Sequence, residues 1–210
     1  GATGDSARVV AVFRDAGGAE IPGAEVSWSS MDPTVVTVSP NGWVVAVGAG
    51  AAGVVASAGG LADTAAVTVT QSPARIAVDP AVASFTAVGD SVRLTAIAWD
   101  RNGHEIVGAR VVWSSTDSAV ATVSESGWVV ARGNGAAGVV AASGVAADTA
   151  SIDVAQVPVS LEVGPNPVRM GEGDTLRLEA VVRDANGVAI EGAAVAWKST
   201  FAAAVSVDET

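Results

Sequence analysis

From Val92 to Trp99 the side chains alternate with a period of two. Val92, Leu94, Ala96 and Ala98 form a small apolar face, and Arg93, Thr95, Ile97 and Trp99 a mixed one. That period predicts a strand with one face against a core. The same alternation sets Ala7, Val9, Ala11 and Phe13 against Arg8, Val10, Val12 and Arg14. It also sets Leu176, Leu178, Ala180 and Val182 against Arg177, Glu179, Val181 and Arg183, so the arginines fall on the outer face each time. Around the central copy, further short strands are predicted at Ile76–Val78, Val111–Trp113, Val120–Val123, Trp128–Ala131, Gly138–Ala142 and Ile152–Val154. Asp79-Pro80 should end the first, because proline has no donor for the ladder. Asp100-Arg101-Asn102-Gly103 should form a tight connection, since Asn and Gly tolerate turn geometry. Seven short strands with alternating apolar faces predict two antiparallel sheets packed face to face.

The pattern is written about two and a half times. Gly-Trp-Val-Val-Ala occurs at Gly42–Ala46 and at Gly127–Ala131; Trp28, Trp113 and Trp197 follow one another by 85 and 84 positions, as do Asp15, Asp100 and Asp184. A period of that length suits a small sandwich with its own core. The predicted division is therefore residues 1–70, a repeat without its first strand; 71–155, a complete repeat; and 156–210, the early part of a third. The third repeat carries Phe201 where the others carry Asp32 and Asp117.

In their order, Gly89-Asp90-Ser91 and its strand, the Asp100–Gly103 turn, Val111-Val-Trp-Ser-Ser-Thr-Asp117, Val120–Val123 and Gly127–Ala131 resemble bacterial immunoglobulin-like domains of group 2. The resemblance implies an all-β chain of tandem immunoglobulin-like sandwiches. It further implies a place at the bacterial surface or outside the cell, in intimin- or invasin-like adhesins or phage structural proteins, with a role as spacer or adhesive module. The Cys…Trp…Cys arrangement of animal immunoglobulin domains is absent, so packing must hold the sheets.

Composition narrows the function classes. The apolar half of the chain is mostly Val and Ala, and 24 glycines supply turns. A net charge of −11, spread over all three segments, repels a phosphate backbone and argues against nucleic acid as a partner. Cysteine is absent, which removes disulfides and thiolate chemistry and suits an oxidising exterior. No apolar run is long enough to cross a bilayer as a helix, and no targeting signal is visible at Gly1.

Candidate chemistry is sparse. His104, the one histidine, stands where the other copies have Ala19 and Val188, which predicts an exposed turn residue with no catalytic part. Asp15, Asp100 and Asp184, with Gly18, Gly103 and Gly187, are predicted turn residues whose carboxylates accept the next backbone amides. Calcium is the competing use of carboxylates, with Asp79, Asp90 and Asp148 as weak candidates, although the spacing of a dedicated calcium loop is missing. Paired acids for glycoside hydrolysis would need a cleft that small sandwiches in series rarely offer. Gly48-Ala49-Gly50 and Gly133-Asn134-Gly135 lack the ending of a phosphate loop. No enzyme and no cofactor are expected. Trp28, Trp113 and Trp197 are predicted core anchors, while Trp43, Trp99 and Trp128 are candidate contact residues for a sugar or a neighbouring domain.

The joints Val69-Thr-Gln-Ser-Pro73 and Val154-Ala-Gln-Val-Pro158 are short and contain a proline each, which predicts restrained tilt. The expectation is a stalk or fibre shaft whose partners are like repeats of a longer chain. The competing expectations are an adhesin, or subunits that complete one another's ends by strand addition in a filament.

Overall fold

The structure is a computed structural model, and it describes residues 1–208. Glu209 and Thr210, the last two positions of the expected third repeat, lie outside the described residues. Every regular element among the described residues is a β-strand. The chain divides into two compact units. The first holds Gly1–Val78, Ala96–Val112 and Ala141–Asp148; the second holds Asp79–Thr95, Trp113–Val140 and Thr149 onward.

In the first unit, β1 (Ser6–Arg8), β3 (Val36–Val38) and β4 (Trp43–Ala46) form a sheet with β4 central, and β2 (Ser27–Ser30), β5 (Gly50–Ala58) and β6 (Leu61–Val69) form one with β5 central. β5 and β6 pair from Gly50↔Val69 to Ala58↔Leu61. Their two-residue turn is Gly59-Gly60, both at positive φ, as a hairpin that matches strand twist requires. Val35, Val36, Val44, Val54 and Val69 are buried together, with Val9, Trp28, Val38, Ala46, Ala52 and Val67 packed against them. The core is thus built of β-branched side chains, which suit a pleated surface.

Four strands begin the central repeat: β7 (Arg75–Asp79), β8 (Val82–Phe85), β9 (Ser91–Arg93) and β10 (Thr95–Trp99). Then come β11 (Val112–Ser115), β12 (Ala121–Val123), β13 (Trp128–Ala131), β14 (Gly135–Ser143) and β15 (Ala146–Val154). The sheet orders are β12-β13-β9, β10-β7 and β11-β14-β15-β8. In the second unit Phe85, Leu94, Val120, Ala121, Val129, Val139, Ile152 and Val154 are buried. That unit also holds β16 (Ser160–Gly164) and β17 (Glu179–Arg183), antiparallel from Ser160↔Arg183 to Gly164↔Glu179.

The sandwich differs from the seven-strand expectation in several places. The stretch Val92–Ala98 is two strands: β9 pairs with β13, a ladder that the Leu94 N–H extends to the Gly127 carbonyl (2.8 Å), whereas β10 pairs with β7. Asp79-Pro80 does end β7, but the chain re-enters as β8, parallel to β15 from Val82↔Ser151 to Phe85↔Val154. The closing strand is also longer than the expected Ile152–Val154: β15 already begins at Ala146.

The repeated Gly-Trp pair has a steric cause. Gly42 and Gly127 lie at φ +80° and +81°, and a Cβ there would run into the carbonyl oxygens of Val9 and Leu94. It would also meet the indoles of Trp28 (3.4 Å) and Trp113 (3.3 Å). Only glycine lets the turn lie on the ring while its carbonyl accepts the Val9 or Leu94 amide. Gly127→Ala is therefore expected to cost about 3 kcal/mol or more. Gly103→Ala, at φ +84° with open space around it, should cost only about 1 kcal/mol. Urea unfolding of the two variants checks the order.

Candidate functional site

The polar groups that converge most closely lie where consecutive repeats meet. In the first unit the turn after β10 begins at Asp100, which is 3% exposed. Its Oδ1 accepts the backbone N–H of Asn102 (3.0 Å) and of His104 (3.0 Å), closing the turn locally. Its Oδ2 reaches into the preceding repeat, accepting from the Thr3 N–H (2.9 Å), the Thr3 hydroxyl (3.0 Å) and the Gln71 side-chain amide (3.1 Å). Asn102 adds two bonds in the same direction, donating from Nδ2 to the Thr3 carbonyl (2.6 Å) and to Asp5 Oδ1 (3.2 Å). Arg101 pairs with Asp5 at 2.6 Å.

The second unit holds the same arrangement one period on. Asp184, 2% exposed, accepts at Oδ1 from the N–H groups of Asn186 (3.0 Å) and Val188 (2.9 Å). At Oδ2 it accepts from the Val88 N–H (2.9 Å) and the Gln156 amide (2.8 Å). Asn186 Nδ2 donates to the Val88 carbonyl (3.0 Å) and to Asp90 Oδ1 (2.9 Å). Gln156 is aimed by Asn134, which donates to its Oε1 (3.1 Å) and accepts its backbone N–H (2.8 Å).

Burial alone would raise the pKa of both carboxyls. The hydrogen bonds that converge on the charged form more than offset it, from Gln71, the His104 N–H and Thr3 at one joint and from Gln156, Val88, Val188 and Asn186 at the other. Both groups are held below the ordinary carboxylate range, Asp100 far below it. Asp5 is also lowered, chiefly by the Arg101 guanidinium.

The other sequence-predicted residues lie elsewhere or play other parts. Asp15 keeps the local half of the pattern, accepting from Gly17 (2.8 Å) and Ala19 (2.9 Å) at Oδ1, and is exposed. Gly18, Gly103 and Gly187 sit at positive φ and donate their N–H groups to the carbonyls of Asp15, Asp100 and Asp184. His104 lies 3.7 Å from Asp100 through Nδ1, with its side chain 57% exposed. Trp28, Trp113 and Trp197 are half-buried, and Trp28 packs against the valine core. Trp43 and Trp128 are nearly half exposed and stand across the ladder from Arg8 and Arg93. One face of Trp99 is covered by the Arg75 guanidinium, 4.2 Å from the ring centre.

Among the described residues, no group of three or more His, Cys, Asp or Glu side chains is placed to hold a metal ion. Asp90 Oδ2 accepts the Ala87 N–H (3.2 Å), Asp148 accepts the Val78 N–H (2.9 Å), and the Asp79 carbonyl accepts the Thr95 hydroxyl (3.2 Å). An open concavity of about 430 Å³ in the first unit is lined by Gln71, Pro73, Ile106, Ala109, Arg110, Val112, Ala142, Ser143 and Gly144, with Arg110 the one ionisable group. The part of Gln71 and Gln156 was missed by sequence reasoning. Its signal was present, because the two joints share Gln and Pro at the same spacing and little else.

Residues 24–71 match the family model of the bacterial Ig-like domain. Over that stretch the chain is similar to a bacterial Ig-like domain. Comparison with curated proteins gives no match. Among solved structures, domains 1–6 of the surface layer protein SbsC are 24% identical over 87% of this chain and 27% of that one, with a TM-score of 0.39. Invasin, described as a bacterial integrin-binding protein, is 21% identical over 86% of this chain and 43% of its own (TM-score 0.42). FdeC, an Escherichia coli adhesin, is 19% identical over 89% and 66% (TM-score 0.41). The chain spans about a quarter of the first SbsC structures it matches.

The depressed carboxyls give the joints a defined acid dependence. An unfolded Asp titrates near 3.9. The folded groups hold their charge to lower pH, so their contribution is complete above about pH 4 and is lost as pH falls towards the folded values. The double variant D100N/D184N should therefore be less stable at pH 7 and lose less on acidification than the parent. Thermal midpoints followed from pH 7 to pH 2 check this, the expected result being a shallower acid limb.

Proposed function

We propose that this Ig-like chain is a spacer segment of a bacterial extracellular or surface protein, with its like repeats as immediate partners and no catalysis of its own. The observation that carries the reading is the buried carboxylate at each joint. A flexible tether would leave the linker solvated, whereas here the linker glutamine, the preceding turn and the following turn share one acceptor. Such a joint limits bending between neighbours, as a load-bearing spacer requires. The placement outside the cell follows the resemblance to bacterial Ig-like domains, and the acidic coat supports solubility there.

A second reading, an adhesive module, draws on Trp43 and Trp128, equivalent indoles that keep nearly half their surface in solvent beside an arginine. The spacer reading predicts that Q71A/Q156A loosens the joints while each sandwich stays folded. Small-angle scattering should show a broader distribution of intramolecular distances for the variant, with an unchanged far-ultraviolet spectrum. Equal distributions would overturn the spacer reading, and saturable quenching of tryptophan fluorescence by a glycan, lost in W43A/W128A, would favour the adhesive one.

A further inference from the structure

Three equivalent turns follow the same strand position, yet only two hold a neighbour. At Asp100 and Asp184 the carboxylate divides its work: Oδ1 closes the turn and Oδ2 takes an amide of the preceding repeat and its linker glutamine. Asp15 closes its turn by the same two bonds at nearly the same lengths. Among the described residues its Oδ2 accepts no hydrogen bond, and the side chain is exposed. We infer that the Asp15 turn is a docking site for another repeat of this kind, engaged through the side-chain amide of that repeat's linker glutamine and the backbone N–H of its Gly-Asp turn. This inference rests on reading the chain as a run of like repeats.

Two observations favour that occupant. Oδ1 is already oriented by the turn, so docking adds bonds without reshaping the receptor. The donors at the two filled sites are the same chemical pair despite different neighbouring side chains, Thr3 at one and Val88 at the other. One position sets Asp15 apart. Where Asn102 and Asn186 donate to the carbonyl and the aspartate of the preceding turn, the first repeat has Gly17. Its site is therefore built for fewer bonds, and Gly17→Asn should supply the missing ones.

The test is an in-register extension, with a second copy of residues 1–85 fused ahead of Gly1 of the full chain, so that the added Thr3 and Gln71 face Asp15 at the spacing they hold from Asp100. Asp15→Asn and Gly17→Asn are made both in the fusion and in the chain as it stands. In the unfused chain each variant should leave the thermal midpoint within about 1 °C. In the fusion, D15N should lower the midpoint of the added repeat by about 2–4 °C and G17N should raise it by a similar amount. The side-chain amide protons of the added Gln71 should exchange about tenfold more slowly than in the D15N fusion. Equal effects of D15N with and without the added copy, or no effect of either variant in the fusion, would overturn the docking site. A fusion indifferent to D15N in which Q71A/Q156A still loosens the other joints would sink the docking site and leave the spacer reading standing.

Discussion

Each joint depends on one ionised carboxylate kept out of water. A buried charge is tolerated only where hydrogen bonds replace its hydration, and Asp100 has five donors for its two oxygens. Those donors come from three places in the chain: the turn itself, the linker and the turn of the preceding repeat. Moving any one of them away leaves the buried charge short of a donor, so the position of the linker is coupled to the fold of both neighbours. The linkers lie inside the compact units together with these partners.

The rest of the fold follows a simple constraint: the chain is regular where a partner strand exists. β1 pairs with β4 as β9 does with β13, so Ser6–Arg8 is a strand. Among the described residues, Val10–Phe13, the counterpart of β10, pairs with no strand and forms no ladder beyond the Arg14↔Glu20 bridge. In the third repeat the situation is reversed. β16 stands in for β7 and gives β17 its partner, while Leu176–Leu178 pairs with no strand among the described residues.

Much of this was legible in the residues. Period-two alternation located the strands, the Val-rich composition the kind of core, and the Asp-x-x-Gly spacing the turns. Two things were not. The change of sheet after Leu94 leaves the alternation unbroken, because both halves bury the same face, and only the pairing of β9 with β13 and of β10 with β7 reveals it. The joint was hidden for a different reason: its donors are a backbone N–H, which carries no residue identity, and two glutamines whose importance lies in what they reach. A proline-bearing linker predicted restraint, but the restraint itself lies two residues earlier, at Gln71 and Gln156.

The bonds from Thr3 to Asp100 and from Val88 to Asp184 connect residues more than one repeat apart. During vectorial synthesis an earlier repeat can set its own Gly-Asp turn through the local Ala2–Asp5 or Ala87–Asp90 contact and wait in that state. The lock closes only when the next Asp-turn has emerged from the ribosome and folded. Coupling between neighbours is thus installed one step behind translation, from the amino end onward, and an interrupted chain keeps every lock completed before the break.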